Sequence, residues 1–245
     1  MLDIIIISYN TKDMTLQCID SVKKYTTVPY HLIVVDNAST DGSVETLRQI
    51  PNLTLIENEE NLGYGKACNQ GAMVGTNKYI IFLNSDIVVT PNWARPLINC
   101  LKQSNDIAVV SPKLTYADNR INGVGVIGTN ANPMIRGWGQ LDVGQFNKQI
   151  DCVSVCGAAF MIKRSNIPVL GLFDERYFFY FEETSYCYNA RDKGYRVVYC
   201  PNSHAIHHHQ GSCKDNNLLM QYFNAGKQLF DQTFAHMMSD QKYFQ

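Results

Sequence analysis

No run among the 245 residues approaches the ~20 consecutive apolar residues that a membrane-spanning helix needs. The first apolar run, Ile4–Ile7, lacks the basic flank and the small-residue cleavage site of a secretory signal. An excess of one charge sign is missing too. The 21 basic and 22 acidic residues nearly cancel, so no field of one sign recruits nucleic acid or an anionic membrane surface. No G-x-G-x-x-G follows the first apolar run, which removes the fingerprint of a dinucleotide-dependent oxidoreductase. A nucleotidyltransferase would need a glycine-rich basic phosphate loop at the same place, where Ser8-Tyr9-Asn10 stands instead. The eight cysteines include no C-x-x-C pair and no paired zinc spacing, and without a secretory signal they fit reduced thiols in a cytoplasmic protein. The expected location is the cytoplasm, with the inner membrane face as the site of any peripheral contact. There is no internal repeat and no low-complexity linker, and the composition is 45% hydrophobic, enough for a core of its own.

What is present is a β-branched alternation. Apolar runs recur at Ile4–Ile7, Leu32–Val35, Leu53–Ile56, Tyr79–Leu83 and Ile107–Val110, each short and followed by turn residues, which predicts buried strands. Met14, Cys18, Val22 and Tyr25 fall three or four apart, the spacing of one apolar stripe on a helix over 12–25. The segments 43–49, 65–75 and 92–102 repeat the alternation. The first ~110 residues therefore read as βαβ units around a mostly parallel sheet flanked by helices, within one compound α/β domain. Ligands of such sheets bind at the carboxyl ends of the strands. Residues 114–214 read as a second half built around the glycine- and asparagine-rich stretch 116–147, a long loop of the kind that carries function. Order is expected again over 152–163, through Tyr177–Phe181 into a helix over 182–193, and in a short strand over 196–199. The tail over 217–244 spaces Leu218, Tyr222, Leu229, Phe230 and Phe234 on roughly one helical face. Packing on its own domain is the simplest reading of that helix, with a homodimer contact or a membrane-surface contact as the alternatives.

Three predicted strands end in polar clusters on one edge of the sheet: Ser8-Tyr9-Asn10, Asp36-Asn37-Ala38-Ser39-Thr40-Asp41-Gly42 and Asn84-Ser85-Asp86. A carboxylate such as Asp36 can accept from a base N–H or a ribose hydroxyl. Asp86 has the short acidic side chain that suits Mg²⁺ or Mn²⁺ beside a diphosphate. Any one of these clusters alone could simply cap the following helix. Their joint placement on one edge argues against capping alone and makes Ser8, Asn10, Asn37, Asn84 and Ser85 further nucleotide candidates; Lys66, outside these clusters, is a candidate from the stretch 58–69.

Together with 58–69, which holds Asn61-Leu62-Gly63, and with Cys156-Gly157-Ala158-Ala159-Phe160, Gly171-Leu172-Phe173-Asp174-Glu175 and Phe179-Tyr180-Phe181-Glu182-Glu183, these motifs resemble the family 2 glycosyltransferases of GT-A fold. The likeness is strongest to the rhamnosyltransferase-like branch and spans 4–212. It implies an inverting sugar transfer from a nucleotide-diphosphate donor, dTDP-rhamnose or a UDP-sugar, to the hydroxyl of a glycan or other acceptor in cell-surface glycan synthesis. By the resemblance, Asp36 contacts the base, Asn61 and Gly63 line the nucleotide pocket, and Asp86 holds a divalent cation, Mg²⁺ or Mn²⁺. Glu183 falls where the family has its base. The family more often has Asp at that place and another acid where Ser185 stands, so the base can shift to Glu182. His204–Ser212 matches the family's histidine-containing stretch, which makes His207 or His208 a further metal ligand.

Several features keep a plainer reading beside the functional one. A histidine cluster near Cys200 and Cys213 could be read as a zinc site or as packing. The run Tyr177–Phe181 could hold a sugar face, although aromatic runs are mostly core. Trp138 in the glycine-rich loop is a candidate for the acceptor side. So are Gly157 and Ala158, whose small side chains let backbone approach a ligand. Cys152 and Cys156 read as packing thiols. The alternative to an enzyme is a catalytically impaired module that binds a sugar nucleotide or a carbohydrate.

Overall fold

The computed structural model describes residues 1–209 and 215–244, so Gln210–Lys214, with Cys213 and the last residues of the histidine-containing stretch, lie outside the described residues. The chain runs β1 (Leu2–Ser8), α1 (Lys12–Tyr25), β2 (Tyr30–Asp36), α2 (Ser43–Leu47), β3 (Leu53–Glu57), α3 (Tyr64–Val74) and β4 (Tyr79–Asn84). It continues with β5 (Ile87–Val89), α4 (Ala94–Lys102), β6 (Ile107–Thr115), β7 (Ile121–Gly123), β8 (Val126–Gly128), β9 (Pro133–Ile135) and β10 (Ile150–Asp151). The rest is β11 (Ala159–Lys163), α5 (Ile167–Leu170), α6 (Glu182–Asp192), β12 (Arg196–His207) and α7 (Asn216–Thr233).

Strand β1 shows why its sequence is apolar throughout. Leu2, Ile4 and Ile6 pack with Cys18, Ile19 and Val22 of α1 and Leu97 and Leu101 of α4 on one face of the sheet. Ile5 and Ile7 face Ala67, Cys68 and Ala72 of α3 and Tyr186, Cys187 and Ala190 of α6 on the other. A strand covered on both faces cannot alternate with polar residues. The result is a three-layer α/β/α architecture.

The main sheet has the order β10-β12-β6-β11-β4-β1-β2-β3. From β4 to β3 it is parallel, as the βαβ reading expects. Beyond β4 the sheet is mixed, because β11 inserts between β4 and β6 and runs antiparallel to both. This insertion sets the site. It pairs Ala159 with Leu83, so the chain entering β11 lies against the chain leaving β4. The chain also visits β2 and β3 on one side of β1 before returning to β4 on the other, which makes the carboxyl ends of β1 and β4 the topological switch point.

Two expected elements differ in extent. The short strand over 196–199 is the start of a longer one, because a register shift between Cys200 and His204 lets β12 pass Pro201 and continue through His207. The tail is not one helix to Phe244. It ends at Thr233, turns through a 3₁₀ segment at Ala235–Met237, and brings Phe244 back to a β-bridge with Gly128. Tyr188, Phe230, Phe234, Met237 and Phe244 bury one another there, so the tail is held by its own domain. No described helix is long and apolar enough to cross a membrane.

Candidate active site

A cleft of about 460 Å³ opens at the switch point, lined by Tyr9, Asn10 and Thr11 after β1, Asn37 after β2, Asn61, Gly63 and Tyr64 at the start of α3, and Asn84, Ser85 and Asp86 after β4. Its remaining wall comes from Ile7, Met14, Phe178, Phe179, the α7 N-cap Asp215 and, in the first turns of α7, Leu218, Leu219 and Tyr222. Of the expected nucleotide residues, Asn10, Asn37, Asn61, Gly63, Asn84 and Ser85 therefore meet in one cavity.

Ser8, Asp36 and Lys66 are placed elsewhere. Ser8 is fully buried and accepts a hydrogen bond from the Thr15 hydroxyl at 3.3 Å. Lys66 is exposed on α3 and does not border the cleft. Asp36 is fully buried, and its two carboxylate oxygens accept from the Ser39 N–H at 2.8 Å and the Ser39 hydroxyl at 2.7 Å. Ser39 Oγ in turn accepts from the Asn10 N–H at 2.9 Å, and Asn10 Oδ1 accepts from the Thr40 N–H at 2.8 Å. Asp36 thus ties the loop after β2 to the loop after β1.

Gly63 sits at φ +83°, and a Cβ added there would overlap the Phe178 carbonyl oxygen. That oxygen accepts from the Tyr64 N–H at 2.9 Å. The first turn of α3 therefore docks on the aromatic run, and only glycine permits the approach. The aromatic run itself is divided. Tyr177 is buried, Phe178 and Phe179 face the cleft, and Tyr180 is exposed.

Asp86 and His207 meet because β5 pairs with β12 in the register that sets Ile87 opposite His207. Asp86 Oδ1 lies 3.3 Å from His207 Nε2, and both side chains are nearly buried. His207 Nδ1 lies 2.9 Å from Asn122 Oδ1 on β7. Nδ1–H donation to that amide oxygen would free the Nε2 lone pair for a cation shared with Asp86, the tautomer a metal ligand needs. Among the described residues no three His, Cys, Asp or Glu side chains converge as a complete metal cage. A carboxylate oxygen and an imidazole nitrogen nevertheless fit a hard divalent cation that completes its shell from a diphosphate and water. His208 contributes its backbone N–H to the Asp86 carbonyl at 3.0 Å.

Glu182 and Glu183 open α6, where the helix N-terminus favours negative charge. Two consecutive residues with φ near +70°, Tyr180 and Phe181, make the turn that precedes them. The two carboxyls then diverge. Glu182 points inward against Gly65 of α3, only 5% exposed, with Oε2 lacking a hydrogen-bond partner. Burial, and then the neighbouring Glu183 charge, push its carboxyl well above the usual range. Glu183 is less enclosed and leans on Gly157, where an added Cβ would come within 2.8 Å of Glu183 Cγ. Burial raises its carboxyl as well, opposed by the N–H groups of Glu183, Thr184 and Gly157.

Of the residues expected on the acceptor side, Gly157 and Ala158 are bonded to cleft residues through their carbonyls, whereas Trp138 does not border the cleft. Ala158 O accepts from the Asn84 N–H at 3.0 Å, and Gly157 O accepts from the Tyr64 hydroxyl at 3.2 Å. Cys156 feels both Glu183 and Asp86, which add to its burial in raising its thiol to about 12. Trp138 is 65% exposed and donates to the Tyr116 hydroxyl at 3.0 Å, and the Tyr116 ring lies 6.1 Å from that of His209. Sequence reasoning missed Asn122, Tyr64 and the α7 wall. Asn122 sits in a stretch without periodicity, and nothing local links α7 to a cleft more than a hundred residues upstream.

Gly157 is the packing surface for Glu183, so Gly157→Ala is expected to displace that carboxyl and lower kcat for transfer by roughly 10²-fold, the usual consequence of a misplacement near 1 Å. Donor affinity, read by titration calorimetry, should stay within a factor of about three.

The fold and this cleft define a glycosyltransferase of GT-A architecture. The sequence signature described as glycosyl transferase family 2 matches residues 3–169, and the chain belongs to that family. It is 24% identical over 235 residues to the N-acetylglucosaminyl-diphospho-decaprenol L-rhamnosyltransferase of Mycobacterium tuberculosis, covering 85% of this chain and 76% of that one. Among solved structures it resembles a mannosyltransferase from Pyrobaculum calidifontis in complex with GDP-Man and Mn²⁺, with a TM-score of 0.68 and 19% identity. It also resembles GalNAc-T7 with UDP, GalNAc and Mn²⁺, with a TM-score of 0.67 and 16% identity. The likeness covers 99% and 94% of this chain but only 65% and 50% of those two chains.

Proposed function

We propose that the protein transfers a sugar, with inversion, from a nucleoside-diphosphate donor to an acceptor hydroxyl. The observation that carries this reading is the abutment of β11 on β4, which sets Gly157 and its neighbour Glu183 beside the Asn84–Asp86 edge of the cleft. The nucleotide lies among Asn10, Asn37, Asn61, Gly63, Asn84 and Ser85, with Asp36 holding the two loops that flank it. Asp86 and His207 would hold a divalent cation, with His208 as the neighbouring candidate ligand. When bound, that cation neutralises charge developing on the departing diphosphate.

The acceptor enters past Trp138, Gly157 and Ala158. Its oxygen attacks the anomeric carbon from the face opposite the diphosphate, and its proton passes to Glu183. The bond from the anomeric carbon to the diphosphate oxygen breaks, and its electron pair leaves with the nucleoside diphosphate. We read the donor as dTDP-rhamnose or a UDP-sugar and the role as cell-surface glycan synthesis, a reading supported by a relative named as an L-rhamnosyltransferase. A peripheral membrane contact and a homodimer through α7 belong to the same proposal.

A panel of dTDP-, UDP- and GDP-sugars read by melting shift tests it, since a ligand at 100 times its Kd adds about 2.7 kcal/mol to the folded state. At least one dTDP- or UDP-sugar should raise Tm in a Mn²⁺- or Mg²⁺-dependent way and release nucleoside diphosphate in the presence of acceptor. A shift without turnover would identify a binding module, and no shift with any donor would remove the reading.

A further inference from the structure

The cleft residue Asn37 is held by a relay of side-chain amides that reaches away from the cavity. Asn37 Nδ2 donates to the Gly63 carbonyl at 3.1 Å, and Asn37 Oδ1 accepts from Asn58 Nδ2 at 2.8 Å. Asn58 stands just after β3, with its backbone N–H donating to the Asp36 carbonyl at 2.9 Å. Its side chain forms a reciprocal amide pair with Gln70 of α3. Asn58 Nδ2 donates to Gln70 Oε1 at 2.9 Å, and Gln70 Nε2 donates to Asn58 Oδ1 at 2.9 Å. Neither Asn58 nor Gln70 borders the cleft.

The direction of each bond is set by its neighbour. The Gly63 carbonyl can only accept, so Asn37 turns its NH₂ toward it and its Oδ1 toward Asn58, and Asn58 must then present its NH₂ to Asn37. Asn58 Nδ2, itself paired with Gln70, secures the Asn37 oxygen on the side away from Gly63. An NH₂ group has two N–H bonds, and the Gly63 carbonyl uses one. We propose that Asn58 and Gln70 are positioning residues that hold Asn37 as a hydrogen-bond donor in the nucleotide cleft. The relay contains only neutral amides, so its hold on Asn37 does not change with pH. It also couples the loops after β2 and β3 to α3, whose first turn carries Gly63 and Tyr64.

This inference rests on the nucleotide reading of the cleft, and the experiment separates the two. Titration calorimetry with UDP and with dTDP, in the presence of Mn²⁺, measures Kd for the full chain and for Asn37→Ala, Asn58→Ala, Asn58→Asp, Gln70→Ala and Gln70→Glu. A Glu at 70 still accepts from Asn58 Nδ2 but has no N–H for Asn58 Oδ1, so Gln70→Glu and Gln70→Ala should each weaken binding by about threefold, less than the variants at 58. An Asp at 58 has the right size but no N–H to give. Asn58→Asp should therefore weaken binding by roughly tenfold, as should Asn58→Ala, the loss expected for about one hydrogen bond. A merely structural role would make weakening follow the fall in Tm across the set rather than donor capacity at 58. Weak binding by Asn37→Ala with normal binding by Asn58→Asp overturns the relay and leaves the nucleotide reading intact. Wild type that binds neither nucleotide, or Asn37→Ala that binds as wild type does, overturns the nucleotide reading of this residue itself.

Discussion

Asp86→Asn is expected to remove the metal dependence of nucleotide binding while leaving the protein folded. The substitution keeps the size of the side chain and its place after β4, but replaces a carboxylate with a neutral amide beside His207 Nε2. Losing an outer-shell partner of a metal ligand typically lowers metal affinity ~10–100-fold, and loss of a ligand itself should exceed that. In wild type, Mn²⁺ should tighten UDP or dTDP binding strongly. In the variant the same titration should show little difference with and without Mn²⁺, and transfer activity should fall below detection. Circular dichroism should still report a folded chain, because the Asp86 backbone carbonyl keeps its bond from the His208 N–H. A variant with full Mn²⁺-dependent activity would show that the cation is held elsewhere.

Much of this edge was legible in the sequence because it depends on local chemistry. Buried strands read as β-branched runs, and three of them end in small polar residues that cannot all be explained as helix caps. Asn10, Asn37, Asn84, Ser85 and Asp86 consequently meet where the strand-end argument puts them, and Asn61 and Gly63, expected from the family resemblance, line the same cleft. Asp36 illustrates the limit. Its residue type suits a base contact, but whether its oxygens face a ligand or Ser39 depends on the turn that follows, where Ala38 adopts φ +65°.

Long-range pairing was less legible. The run Ala159-Phe160-Met161-Ile162-Lys163 has the same apolar texture as a parallel strand, and no local signal announces that it inserts antiparallel between β4 and β6. Asn122 was hidden for a similar reason, since its partner His207 is 85 residues away in a strand that the sequence appeared to end before Pro201. The face of α7 was readable from its spacing, but its partners were not. One set is the aromatic cluster with Tyr188, and the other is the cleft wall beside Phe178, whose ring lies 4.7 Å from that of Tyr222.

Glu183→Gln should abolish most of the transfer rate without disturbing donor binding, whereas Glu182→Gln should not. The sequence left either carboxyl open as the base, and their surroundings now differ in kind. A base must reach the acceptor hydroxyl and must be ionised when it does so. Glu182 is packed against Gly65 with its carboxyl enclosed, and burial together with the adjacent charge of Glu183 keeps it protonated to higher pH. Glu183 is the more accessible of the two and is met by N–H groups that favour its ionised form, although burial still raises it above the ordinary carboxylate value of about 4.3. General-base help is worth ~10²–10⁴-fold, so kcat should fall by that factor in Glu183→Gln, with donor Kd changed less than about threefold. The pH profile supplies the sign. A raised Glu183 is protonated, and useless as a base, over a wider acidic range, so wild-type kcat should drop as pH falls through that raised value rather than near 4.3. In Glu183→Gln the residual rate should lose this acidic limb. Glu182→Gln should retain both rate and limb, because it replaces an enclosed carboxyl whose neutral form is favoured by burial and by the adjacent Glu183 charge. If Glu182→Gln is the inactive variant and Glu183→Gln keeps the acidic limb, the base lies one residue earlier and the enclosed carboxyl must open toward the acceptor during turnover.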